Sequence, residues 1–353
     1  MKKITFLIFA GMLSTSMYVS AQDTSKVLVS SSIADKPFVP SGKVGVTILS
    51  NAKTSIVDNE VSAVGFELER AYIGYTYKAS KEFSSEVKLD VCLPSDLLDT
   101  SNKKYEDLTY GHRYMYIKNA YGTYVKGNTT VTFGIIPMSG LGYLESKWGN
   151  RYAYRSYMDI NKLSQSADAG ICIKQSIQDN LYVDFSITNG EGYTKLQADK
   201  DFVYTFSGTF SPIKEVTLRL MGDFSNLKYQ PVTLAGFAEV KPNDKFSICG
   251  EYETETNYEG VNGHNLAGFS LYTNYSIDPK VKLFARVDNI TSTQLDPTAA
   301  VWNDKNNGTT VIGGIDYNPT SNLRVALSYN TIMHENKNIE SKNVVGVYTE
   351  IKF

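Results

Sequence analysis

One long polar stretch of this 353-residue chain gathers the side chains best able to act on a solute. Between Gly140 and Ser166 it reads GLGYLESKWGNRYAYRSYMDINKLSQS. Lys147, Arg151, Arg155 and Lys162 face Glu145 and Asp159, a net of +2, and Tyr143, Trp148, Tyr152, Tyr154 and Tyr157 are interleaved with them. Basic groups confined in a narrow, partly desolvated passage attract anions and repel cations. A row of exposed rings can stack on sugar faces, or can simply pack the segment against a wall. A connection this long and this rich in aromatic rings is rarely idle. We expect it to fold inward and form a constriction, the alternative being a loop that covers a mouth or packs on a neighbouring subunit.

Other chemistry is sparse. His112, His264 and His334 are isolated, and no Ser and acid stand at a recognisable triad spacing, so no enzyme is expected. Asn303–Gly308, NDKNNG, lacks the carboxylate spacing and distal Glu of a calcium loop. Cys92, Cys172 and Cys249 are an odd set and allow one bridge at most; they read as small wall residues rather than ligands. No metal or cofactor is expected. The balance of 35 Lys+Arg against 37 Asp+Glu is not that of a nucleic-acid binder.

The first residues define the setting. Lys2 and Lys3 precede an apolar run from Ile4 to Leu13, and Val19-Ser20-Ala21 makes a small-residue cleavage site. Residues 1–21 read as a secretory signal, too short in its apolar part to span a bilayer. Its removal takes the formal charge from −2 to −4. Residues 22–42 read as a short periplasmic segment and 43–353 as one domain. No later stretch is a transmembrane helix, so entry into a membrane would have to be by strands.

Strands are what the pattern supports. Seven short clusters of turn residues (79–83, 125–129, 176–180, 211–215, 241–245, 276–280 and 318–322) alternate with longer polar connections, the longest from about Ser139 to Ser166. They delimit about sixteen strands: 43–50, 64–78, 83–92, 112–125, 129–138, 167–176, 180–189, 201–211, 215–225, 231–241, 245–256, 264–276, 280–291, 309–318, 322–332 and 343–353. An even count with short turns at one end and long loops at the other is the pattern of an all-β transmembrane antiparallel barrel, with outer-membrane lipid as its solvent. Leu181, Val183, Phe185 and Ile187 alternate with Tyr182, Asp184, Ser186 and Thr188, giving one uncharged face and one mixed face. Phe210, Phe246, Tyr275, Tyr317 and Phe353 share the apolar parity beside short turns, as an interfacial girdle would.

The last strand ends on Phe353, placed to close the sheet on the first strand and to be read by the barrel assembly machinery. Alternation slips near Glu69–Tyr72, where a bulge is expected. Arg219, Lys280, Lys282, Arg286 and Arg324 have inward parity and would line the pore wall. Glu86, Asp90, Asp184, Asp223, Glu251, Glu253, Asp288 and Asp316 share that wall.

The stretch GFELERAYIGYTYKASKEFSSEVKLDV (65–91), then NAYGTYV, FGIIPMSG, YRS and TNGEGY, resembles the phosphate-selective porin O and P family. Arg70-Ala71-Tyr72-Ile73-Gly74 matches its early Arg-Ala-x-x-Gly strand. Gly134, Pro137 and Gly140 match the run that opens its third loop, and Arg155-Ser156 matches a pair within that loop. Glu69, Ile135, Ile136 and Tyr154 depart from the pattern. The resemblance implies a sixteen-stranded, usually homotrimeric outer-membrane porin whose third loop enters the channel. The function expected is passive diffusion of small hydrophilic solutes with a weak preference for phosphate-like anions. The alternatives are a sugar-conducting porin or a non-transporting barrel used as a binding or adhesion scaffold.

Overall fold

The computed structural model describes residues Phe38–Cys92 and Arg113–Phe353. The signal at 1–21, most of the segment at 22–42, and His112 lie outside the described residues. Sixteen strands are present: β1 Ser41–Val57, β2 Glu60–Lys78, β3 Phe83–Cys92, β4 Tyr114–Lys126, β5 Thr129–Pro137 and β6 Ala167–Gln178. They continue as β7 Leu181–Thr188, β8 Val203–Ile213, β9 Val216–Ser225, β10 Val232–Asn243 and β11 Phe246–Thr256. The last five are β12 Asn265–Ser276, β13 Val281–Thr293, β14 Gly308–Thr320, β15 Leu323–His334 and β16 Lys342–Lys352. Between β5 and β6 lie two helices, α1 Ser139–Trp148 and α2 Tyr157–Ile160.

Every strand pairs antiparallel with its sequence neighbours, and β16 pairs with β1 from Thr47↔Lys352 to Val57↔Lys342, so the sheet is a closed barrel. Closure follows from the solvent: an open edge in hydrocarbon would leave its backbone groups without partners, at several kcal/mol each. The chain end is held in the seam, where Val46 and Phe353 exchange both backbone hydrogen bonds at 2.8 and 3.1 Å.

Period-two alternation sorts the side chains as expected. Val183, Phe206, Leu283, Val287, Val345 and Val347 are exposed on the outer face, while Asp184, Thr205, Ser207, Arg286 and Asp288 are buried on the inner one. Phe210, Tyr275, Tyr317 and Phe353 are exposed at the turn-side edge of the barrel, with Phe246 half-buried beside them.

One departure has a local cause, and one expected irregularity is found. The expected first loop is a tight hairpin instead: β1 runs on to Val57, and Asp58 and Asn59 turn the chain with φ of 51° and 61°. This is the geometry of a two-residue turn whose twist matches its strands, and Asp and Asn are among the residues that tolerate it. In β2, Leu49 faces Arg70 while Ser50 faces Leu68, so Glu69 is the extra residue of a bulge, inside the expected Glu69–Tyr72 window. A second slip in β4, with Lys88 facing Asn119 and Leu89 facing Ile117, makes Lys118 the extra residue there.

Candidate functional site: the β5–β6 segment and its wall

The β5–β6 segment begins as an amphipathic helix. Leu141, Leu144 and Trp148 fall on one face of α1 and are buried. Gly149 ends the helix with φ 69°, its N–H bonded to the Glu145 carbonyl, as a left-handed cap requires.

From there the chain is fastened to one inner-face strand after another. Ser139 donates to Asp184 on β7 at 2.5 Å. The Tyr143 ring meets Phe237 of β10 edge-on at 5.6 Å, and the Arg219 guanidinium of β9 lies 4.7 Å from its centroid. Lys147 pairs with Glu239 of β10. Trp148 packs edge-on against Tyr272 of β12 and Phe284 of β13, at 5.4 and 5.8 Å.

At the far end Tyr152 donates to Asp316 of β14 at 2.7 Å, and Arg324 of β15 donates to the Gly149 carbonyl and the Asn150 side chain at 3.0 and 3.2 Å. Arg151 reaches Glu69, the bulged residue of β2, at 2.8 Å. On the return, Arg286 of β13 donates to the Arg155 carbonyl at 2.7 Å and Ser164 donates to Asp223 of β9 at 3.1 Å. Lys118 of β4 donates to Ser166 at 3.2 Å.

These contacts reassign the expected wall charges. Arg219 pairs with Asp184 at 3.2 Å and is 4% exposed; Arg286 makes two bonds to Asp288, at 2.6 and 2.7 Å, and is 1% exposed. Arg324 pairs with Asp316 at 2.7 Å and Glu350 at 3.2 Å, and Lys282 lies 3.6 Å from Asp316. These four bases spend their charge on wall carboxylates, and three of them sit against the segment's own aromatics. Lys280 is exposed in the turn after β12. Of the acids expected beside them, Asp90, Asp184, Asp223, Glu251, Glu253, Asp288 and Asp316 are all buried. Both signs expected on an open wall are therefore largely covered, by the segment over the β7–β15 arc and, at Asp90, by Arg70 and Tyr193.

Within the segment, Arg151 also lies 3.7 Å from Glu145 and Arg155 lies 4.0 Å from Asp159, while Lys162 lies 3.7 Å from Glu259 of the β11–β12 connection. Burial raises the Glu145 carboxyl above its ordinary value, against the lowering effect of Arg151. Arg155 and Lys162 keep the most exposed side chains of the set, at 44% and 70%.

Sequence reasoning missed the opposite bank. Arg70 of β2 donates to Asp90 at 2.7 Å and to Tyr193 at 3.4 Å. The Lys118 ammonium lies 5.3 Å above the Tyr72 ring and 5.1 Å from that of Tyr193, with no carboxylate within 4 Å among the described residues. The available signal was the broken alternation of YIKNAYG, which marks the bulge that turns Lys118 to this face. A cavity of about 480 Å³ opens on the same bank, lined by Lys43, Tyr72, Lys352 and Lys88, with the expected wall acid Glu86 paired to Lys88 at 2.9 Å.

Among the described residues no cluster of His, Cys, Asp or Glu has the arrangement to hold a metal ion. The three cysteines are free thiols. Asn303 and Asn306 close their own loop by a 2.7 Å amide bond.

A closed sixteen-strand barrel with an apolar outer face and a helical segment bonded to its inner face is the fold of bacterial outer-membrane porins, and solved structures of that class superpose on it. The outer-membrane channel DcaP of Acinetobacter baumannii matches with TM-score 0.65 and 12% identity over 89% of this chain and 97% of its own. OmpF of Salmonella typhi, in complex with daunomycin, matches with TM-score 0.62 and 9% identity over 88% and 97%. An anion-selective porin from Comamonas acidovorans matches with TM-score 0.61 and 9% identity over 89% and 100%. No protein-family model matches the sequence, and no curated protein resembles it in sequence.

Proposed function

We propose that the chain is a porin of the bacterial outer membrane, a passive diffusion channel for small hydrophilic solutes, in which the β5–β6 segment lies in the lumen as its constriction. One observation carries this reading: the segment is bonded to inner-face residues of β2, β4, β7, β9, β10, β13, β14 and β15. A mouth-covering loop would not need partners around most of the ring. A barrel of this strand number is wide enough for an aqueous channel, and a segment crossing it leaves a narrower one.

Within that reading, solutes pass between the segment and the β1–β4 bank. Lys118, Arg155 and Lys43 then bias the passage weakly toward anions, because Arg70 is paired with Asp90 and the carboxylates on the other arc are buried. Phosphate-like anions are one such class, in keeping with the family the sequence resembles. The outer apolar face suits lipid, and assembly as a homotrimer fits the class; OmpT of Vibrio cholerae is described in a trimer form. Phe353, exposed at the turn-side edge, suits recognition by the assembly machinery. No catalytic step is involved.

Purified protein in a planar bilayer should give stepwise conductance. Across a salt gradient the reversal potential should fall on the anion side. Folded protein that inserts and stays silent would refute the channel, and a cation-side potential would refute the assigned bank.

A further inference from the structure

At the long-loop end of the barrel a second cavity, of about 370 Å³, lies between the return of the β5–β6 segment, the turn Asn257–His264 and the loop Gln294–Asn307. Its size is in the range of small-molecule sites. Its floor is apolar, made by Leu266, Ile290 and Ile332 with the rings of Tyr154, Tyr157 and Tyr258. Two of these tyrosines spend their hydroxyls on protein, Tyr157 on the Asn289 carbonyl at 2.9 Å and Tyr258 on the Asn161 carbonyl at 3.2 Å, so what they present to the cavity is chiefly ring surface.

The rim is polar. Asn161 and Asn306 commit their amide N–H groups, to the Tyr157 carbonyl and to Asn303, and keep carbonyl oxygens as acceptors. Lys305 supplies a donor, and Nδ1 of His334 is buried with no hydrogen-bond partner. Charge is close to balanced: Lys162 faces Glu259 at 3.7 Å, and Asp288 is saturated by Arg286.

The rim is also held in shape. Tyr258 is backed by Trp302 at 5.3 Å, and Trp302 stacks on His264 at 4.5 Å and 7°. Asn257 and Glu259 adopt φ of 54° and 49°. For Glu259 that conformation is uncommon, and such outliers concentrate where a surrounding structure has a use for them.

We propose that this cavity binds a neutral carbohydrate ring. Ring faces on the floor match the apolar face of a sugar, and interspersed amide acceptors, an ammonium and an imidazole match its hydroxyls. An anion would find little net positive charge. The proposal rests on the porin reading only for the side of the membrane it faces; binding itself does not require conduction.

The test is calorimetric titration of the purified full chain in detergent with glucose, galactose, mannose and maltose, and separately with inorganic phosphate. At least one sugar should saturate with a dissociation constant at or below about 1 mM. Asn306→Ala and, separately, Tyr258→Leu should weaken it about tenfold or more, and should leave sugar-free conductance and heat-modifiable gel migration unchanged. If Tyr258→Leu does not fold, Asn306→Ala alone decides. No saturation by any of the sugars up to about 50 mM, unchanged affinity in Asn306→Ala, or saturation by phosphate alone would overturn the proposal. Saturable sugar binding by a barrel that is silent in bilayers would leave this site standing and remove the channel.

Discussion

The far end of the β5–β6 segment hangs on Asp316, and Tyr152→Phe tests that directly. Asp316 is 0% exposed, accepts from the Tyr152 hydroxyl at 2.7 Å and from Arg324 at 2.7 Å, and lies 3.6 Å from Lys282. Removing the hydroxyl deletes one hydrogen bond to a charged acceptor, worth about 1.5–3 kcal/mol. Asp316 keeps its two cations, so the loss belongs at the lower end, near 1.5 kcal/mol, or about tenfold in the equilibrium for lifting the segment. Asp316→Asn should cost more, about 3 kcal/mol, because Arg324 and Lys282 lose a buried counter-charge. In that background Tyr152→Phe should matter little, giving a coupling of about 1 kcal/mol. The assay is amide hydrogen exchange at Gly149, Ala153 and Tyr154, whose N–H groups bond to the Glu145 and Asn150 carbonyls. Exchange there should speed up about tenfold in Tyr152→Phe while strand amides stay protected. Unchanged exchange, or a strictly additive double mutant, would refute the idea that this bond holds the segment.

The other expectations are briefer. Lys118→Gln removes an ammonium that faces Tyr72 and Tyr193 with no carboxylate within 4 Å among the described residues, so the reversal potential should move toward cations. Lys147→Gln should move it the same way by leaving Glu239 uncompensated; no shift in either would take both residues off the ion path. Gly134→Ala should abolish heat-modifiable folded protein, since φ is +120° and an added Cβ would stand 2.2 Å from the Ala120 carbonyl oxygen; normal assembly would contradict this. Burial lifts the Glu145 carboxyl above its usual range, so the segment gives up a negative charge at higher pH than a free glutamate would. As pH falls through that range the reversal potential should shift toward anions, and Glu145→Gln should remove the shift.

The strands were legible because a barrel wall in lipid has a strict period of two and its turns have few chemical solutions. The seven short clusters from Ala79–Phe83 to Asn318–Asn322 all fall at strand junctions. The β1–β2 hairpin escaped notice because its inner face carries Lys53, Ser55 and Glu67 and its outer face Ala52 and Thr54, a contrast too weak to read as strand. Its Asp58-Asn59 pair was the available cue. The helix α1 was legible in principle from Leu141, Leu144 and Trp148 at helical spacing, with Gly149 behind them.

Charge partners are a different kind of fact. Arg151 meets Glu69 only because a bulge in β2 turns that residue inward and because the segment crosses the ring to reach it. Parity told which face Arg219 and Arg286 occupy, but not that Tyr143, Trp148 and Tyr154 would cover them. The field inside a barrel depends on which wall charges the segment covers as well as on which residues point inward. Burying seven acids of the β7–β14 arc leaves the smaller set on β1–β4 to set the sign. A composition near neutrality is thus compatible with a biased passage: pairing and burial remove charges unequally from the two banks, and one ammonium over two tyrosine rings counts for more than several saturated arginines.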